Sequence, residues 1–424
     1  MASIREELLH HIWKYRLFDA RDLATIDGRS LEVMRPGNHS ADAGPDFINA
    51  RIGIDALQLA GNIELHVKAS DWLRHKHQSD PAYANIILHV VYENDLDEPL
   101  GDFPTLELQH RISNQILAQY KGLVDAQHPI ACGKGIAEVE KPVLENWLER
   151  VLLERLQRKS SWMNEVVEQC QGDLEQAFFI IVSRTMGMKV NADAFEQMAR
   201  RISWKTLIKH QDSPIQLEAL LFGTAGLLQV NLEEEWPRQL QNEFDFLRHK
   251  YNLEPMNGVE WRYLRLRPAN FPSLRLAQLA ALIHHCGPLL HWYSQSFNGS
   301  ECPSVLARPT AYWDTHYQFG HPSPFQRKPL GATMQRHILI NAVVPYLIVV
   351  AQREHRDELK EQAIEMLHAI EGEKNSRIHP FRELGLTIPS AAIAQALLEL
   401  RSNYCDYKKC LHCTVGNQLL KRAL

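Results

Sequence analysis

The 424-residue sequence has no long apolar run. No stretch approaches the length of a membrane span, and the opening MASIREELLHHIWKYRLF carries a charge every few residues where a secretory signal would have an uninterrupted apolar core. These absences predict a cytoplasmic protein with no membrane partner. Net charge is also small, −5, so no global basic field points to nucleic acid, although a local basic groove fits within such a total. Cysteine is sparse: seven residues, an odd number, which excludes a disulfide framework. The sequence shows no glycine-rich phosphate loop, no helix-turn-helix and no repeat, which removes ATP dependence, a sequence-specific reader of that type and a solenoid.

What is present divides by its periodicity. In the first 130 residues a helical pattern over 3–16 (Ile4, Leu8, Ile12, Tyr15) precedes strand-like runs at Leu31–Met34, Phe47–Ile54, Leu57–Lys68, Ile86–Tyr92 and Leu106–Leu108, followed by an amphipathic helix at Ile112–Tyr120. From about Pro142, apolar residues recur at three and four, predicting helices around Leu144–Leu156, Ala177–Met186, Ile215–Leu228, Leu274–His284, Leu339–Val350, Leu359–Ile370 and Ala391–Leu400. The expected architecture is an α/β (α+β) N-terminal unit with a small mixed sheet over 1–130, a large all-α region over 140–400, and a Cys-rich segment at 401–424 that packs on the N-terminal domain. Pro303–Lys328, rich in Pro, Tyr, Trp and His, reads as an ordered loop.

Ionisable residues concentrate in one place. Four of the 21 histidines fall between Glu64 and His89, where about one is expected from their overall frequency. In Ile63–Lys68 apolar and ionisable residues alternate, so a strand puts Ile63, Leu65 and Val67 on one face and Glu64, His66 and Lys68 on the other. A structural strand with one wet face explains such alternation; so does a site. Asp46 stands upstream after Pro45. Asp46 and Glu64 can hold Mg or Mn, which polarises a phosphate and activates water, with Lys68 as the accompanying cation and His66 as ligand or proton shuttle. Beyond them, Asp71, His75, His77, Asp80 and His89 form an accessory set in which His75-x-His77 can chelate a metal. The first-turn acids Glu6 and Glu7 suit a helix dipole and could also face a nearby metal.

This arrangement resembles the PD-(D/E)xK nuclease superfamily over roughly residues 1–125: a helix, a meander, Pro45-Asp46, then an acid and Lys68. The resemblance implies a restriction-endonuclease-like core and phosphodiester hydrolysis. The sequence departs from the pattern at His66, which occupies the place of the second acid, with Glu64 two residues earlier.

At the C-terminus Cys405-x4-Cys410-x2-Cys413 points to zinc or an iron–sulfur centre, with Cys132 of HPIACGKG the first candidate for a fourth ligand and Cys302 or His412 the next. One cysteine and a distant group of three also resemble the layout of iron–sulfur nucleases. Arg265, Arg267 and Arg275 surround a turn that opens a helix, where guanidinium groups suit nucleic-acid phosphate. GPDF, GNIELHV, SDW, RPANFP and the terminal cysteines together resemble an uncharacterised bacterial family, a domain of unknown function, along nearly the whole chain. The expectation is a metal-dependent nuclease or a protein derived from one. The competing reading is a non-catalytic nucleic-acid- or protein-binding scaffold with a structural metal.

Overall fold

The computed structural model describes residues 4–40, 44–133, 135–229, 233–257, 261–297 and 304–422. Two compact units make up the chain: Met1–Leu148, Asn375–Thr387 and Leu397–Leu424 form the first, Glu149–Lys374 and Ile388–Ala396 the second. The Cys-rich terminal segment therefore belongs to the same unit as the sheet.

The first unit begins with α1 (Glu6–Tyr15), whose Leu8, Leu9, Ile12 and Trp13 are buried against the core. The sheet follows: β1 (Leu31–Arg35), a two-residue β2 (Asn38–His39), β3 (Phe47–Ile54), β4 (Leu57–Lys68), β5 (Ile86–Glu93) and β6 (Thr105–Glu107). It is mixed, as the pattern predicts. β1, β3 and β4 pair antiparallel in that order, β2 adds to β3, and β4–β5–β6 are parallel. The β3–β4 hairpin turns at Asp55, which takes a left-handed conformation (φ 52°) while its carboxylate accepts the Ser30 N–H at 3.0 Å. A short helix α2 (Asp71–Arg74) and two 3-10 turns fill the β4–β5 crossover, and α3 (Asn114–Asp125) closes the unit. α3 starts later than the pattern at Ile112 suggests because Ser113 caps it, accepting the Gln115 N–H at 3.2 Å.

The inward face of β4 holds Ile63 and Leu65, both fully buried among Leu88, Val90, Leu106 and Ile116, each contributing about 1.5–3 kcal/mol by burial. Where β5 enters beside it, Gly61 is required: a Cβ there would lie 2.5 Å from Ile87 and 2.8 Å from the Asn85 carbonyl. The opposite face differs from the solvated one expected of an alternating strand. Glu64 is 5% and His66 1% exposed, because the parallel half of this sheet is covered on both faces, here by Trp72, Tyr83 and Phe103.

The second unit is helical; Leu174–Met186, Pro214–Thr224 and Pro272–Cys286 are largely buried, and Asp357–Ala369 buries one face through Leu359, Ala363, Met366 and Leu367. One expectation is corrected here. Ala332–Glu354, a continuous helix with a π turn at Leu339–Val343, is long and apolar enough to cross a membrane by length and composition, yet 78% of its apolar window is buried within the protein. Its run was hidden in the sequence by polar residues at its start. The described part of the 303–328 loop is ordered: Lys328 Nζ donates to the carbonyls of Trp313 and Asp314 at 2.8 and 2.9 Å.

Candidate metal centre

The site grows from the register of β3 on β4. Phe47 pairs with Ile63, so Asp46, one residue before the strand, falls opposite Glu64. The two acids are then locked reciprocally: the Asp46 N–H donates to Glu64 Oε2 at 3.0 Å, and Asp46 Oδ2 accepts the Leu65 N–H at 2.9 Å. α1 contributes two more groups from successive turns of one face, Glu6 and His10. His10 Nε2 lies 3.2 Å from Asp46 Oδ2 and 3.9 Å from Glu6 Oε1, and the ligand atoms of Glu6, His10 and Asp46 all fall within 4.8 Å of one another.

Imidazoles gather on the other side of Glu64. His66 follows it on the same face of β4, and the crossover brings His75 and His77 back over the strand. The ligand atoms of these three histidines also lie within 4.8 Å of one another. Glu64 Oε1 is 3.3 Å from His77 Nε2 and 3.8 Å from His66 Nε2. Glu64 thus lies between the groups, Oε2 on the Asp46 backbone N–H and Oε1 toward His77 and His66, while belonging to neither set of mutually close ligand atoms. Around a cation with bonds of 2.0–2.1 Å, tetrahedral ligand atoms stand about 3.3 Å apart, the spacing seen at His10–Asp46 and His77–Glu64. Neither His10 Nε2 nor His77 Nε2 has a hydrogen-bond partner although both are buried, so each nitrogen faces a carboxylate oxygen without the geometry of donation.

His89 of β5 lies directly opposite Glu64 in the parallel ladder and is fully buried. Its Nε2 sits 2.9 Å from His66 Nδ1. With the His66 N–H on that side, His66 Nε2 keeps its lone pair toward the centre, which is how a supporting group orients a ligating imidazole.

The electrostatics favour a cation. Burial, then the neighbouring Asp46 and Glu6, push the Glu64 carboxyl up to about 8, against which the Asp46 N–H is the opposing influence. Burial and the adjoining imidazoles hold His66 far below its ordinary value, burial carries His89 down to about 3, and burial also lowers His77. Burial therefore favours neutral His66, His77 and His89, the form metal ligation requires, and disfavours the charged form of Glu64. His66 is buried, but each group has a member at the surface: His75 is exposed in one, and the side chain of Glu6 is 43% exposed in the other.

Other residues singled out from sequence lie elsewhere. Lys68 is half-exposed, its Nζ 4.0 Å from Glu93 Oε2. Asp71 accepts the Lys68 N–H and pairs with Arg74, and Asp80 accepts the Ala82 N–H at the head of a 3-10 turn. Both acids shape the crossover and neither joins the ligand groups. Arg275 is buried, donating to Gln278 and Asn270 at 2.8 and 2.7 Å, whereas Arg265 and Arg267 are exposed. Cys132, Cys405, Cys410 and Cys413 are free thiols that line one cavity of the first unit. His412 is exposed and within electrostatic reach of His11, and Cys302 lies outside the described residues. His10 was missed in the sequence: HH within an amphipathic helix gives no sign of a site, and Glu6 four residues earlier is its one local clue.

Residues 6–376 match the family described as "Protein of unknown function (DUF2851)", and the chain belongs to that family. No curated protein and no solved structure matches the chain, and the likeness of its first 125 residues to PD-(D/E)xK nucleases gains no support from these comparisons.

Proposed function

We propose that this chain is a metal-dependent hydrolase of phosphodiesters, in which Glu6, His10 and Asp46 on one side of Glu64 and His66, His75 and His77 on the other would hold divalent cations. The observation that carries the reading is the position of Glu64 between two ligand groups, Glu6–His10–Asp46 and His66–His75–His77. Nitrogen-rich donors favour a transition ion such as Mn or Zn over Mg, which prefers an all-oxygen shell. Bound cations would lower the pKa of an attacking water and neutralise charge on the phosphate. Water adds across one P–O bond and its proton leaves with the departing oxygen. The chain's own part is to hold the donors in place: β4 presents Glu64 and His66, His89 fixes the His66 ring, and α1 delivers Glu6 and His10.

The test is cleavage of single- and double-stranded DNA, RNA and bis(p-nitrophenyl) phosphate by the purified chain with Mn²⁺ or Zn²⁺. Asp46→Asn and Glu64→Gln should each abolish hydrolysis while circular dichroism stays unchanged. Folded, metal-loaded protein that cleaves none of these probes, or variants with undiminished cleavage, would refute the reading.

A further inference from the structure

A second set of metal-ligating residues lies apart from the centre described above. Cys132 comes from the loop after α3; Cys405, Cys410 and Cys413 come from the end of the chain, some 270 residues later. All four side chains line a single cavity, and none is in a disulfide. The folding around them is tight. Gly416, in the first turn of the helix Thr414–Lys421, packs so closely on Cys410 that a Cβ would sit 2.1 Å from its carbonyl oxygen. That turn also aims backbone N–H groups of Val415 and Gly416 at the Cys413 sulfur, the kind of donor a thiolate accepts.

The four thiols, from two segments distant in sequence, share the wall of that one cavity with Tyr404 and Gly416. Four free cysteines around one cavity supply the donor set of a thiolate metal centre. Lys409 stands in the cavity wall, and Arg401, whose Nε pairs with Asp406 Oδ1 at 2.6 Å, lies near Cys405. Arg401 Nη1 is buried without a hydrogen-bond partner.

The spacing of the sulfurs distinguishes the kind of centre. A single zinc ion with Zn–S bonds of 2.3 Å holds its thiolates about 3.8 Å apart. Among the described residues, the groups of three or more ligand atoms lying within 4.8 Å of one another are His66/His75/His77 and Glu6/His10/Asp46, so no three of the four sulfurs approach that closely. In an iron–sulfur cluster the thiolates are shared among different irons and are held apart by the inorganic core. We propose that Cys132, Cys405, Cys410 and Cys413 bind an iron–sulfur cluster that clasps the loop after α3 to the C-terminal helix. The assignment rests on different residues from the proposed hydrolase centre and stands or falls separately.

The experiment is metal and acid-labile sulfide analysis of the full chain purified without oxygen and, in parallel, after reconstitution with ferrous iron and sulfide. Iron and sulfide in equal amounts, with a broad visible absorption bleached by dithionite, are expected. Cys132→Ser should lose both, whereas Cys286→Ser, which alters a buried thiol of the second unit, should retain them. Zinc in place of iron overturns the proposal, as does reconstituted wild-type protein without iron and sulfide. A Cys132→Ser chain that keeps its full iron and sulfide overturns the ligand set. Should that variant not fold, the wild-type metal and sulfide contents decide alone.

Discussion

Asp46 and Glu64 hold each other by reciprocal contacts: the Asp46 N–H donates to the Glu64 carboxylate, and the Asp46 carboxylate accepts from the N–H of the next residue, Leu65. An acid at the mouth of β3 and one on the adjacent antiparallel β4 are thereby fixed side by side, the second of them buried. Everything proposed for the centre follows from that pair and the histidines on either side of it.

The support given by His89 is testable apart from catalysis. His89→Phe preserves the aromatic packing on Trp72 and Phe103 but removes the nitrogen 2.9 Å from His66 Nδ1. We expect the affinity for Mn²⁺ to fall roughly 10–100-fold, the usual effect of losing an outer partner of a ligating histidine, with little change in melting temperature. Calorimetric titration and a thermal melt measure the two quantities.

Glu218 of the second unit is 1% exposed and accepts from the indole N–H groups of Trp236 and Trp313 at 3.1 and 3.0 Å and from the Thr310 hydroxyl at 2.8 Å. Glu218→Ala leaves these donors buried and unpaired and opens a cavity. A loss of roughly 3–5 kcal/mol is expected from urea denaturation, with Glu218→Gln in between because it keeps one acceptor oxygen.

Stability should depend on pH through His337. Burial first, then Lys159 and Arg275, lower its pKa from 6.5 to about 4, and its Nδ1 lies 3.1 Å from the Asn341 amide nitrogen. The unfolded chain binds this proton at a higher pH than the folded one. The contribution is therefore complete above pH 6.5 and is lost as pH falls through about 4, amounting to roughly 3 kcal/mol at most. His337→Gln should flatten the stability profile between pH 6.5 and 4. A profile as steep as that of the wild type would show that other groups set it.

Much of the first unit was legible because strand periodicity and chain order are local. β3 and β4 lie where alternation and turn residues place them, at Phe47–Ile54 and Leu57–Lys68. Asp46, Glu64, His66, His75 and His77 were legible as an unusual concentration of donors around those strands. Burial of Glu64 and His66 was not, since it depends on Trp72, Tyr83 and Phe103 folding back from the crossover, and alternation reports two faces without saying what covers either. His10 was invisible for a similar reason: its helical position is read from sequence, but its approach to Asp46 comes from how α1 packs on the sheet. Asp71 and Asp80 misled because a short acidic side chain that caps a turn looks, in sequence, like one that holds a metal.

Anomalous diffraction from crystals soaked in Mn²⁺ tests the proposed metal centre most directly. Two peaks are expected to flank the Glu64 carboxylate, one among Glu6, His10 and Asp46 and one among His66, His75 and His77, both lost in Glu64→Gln. Soaked crystals with no anomalous peak at Glu64, or with peaks that Glu64→Gln leaves unchanged, would contradict it.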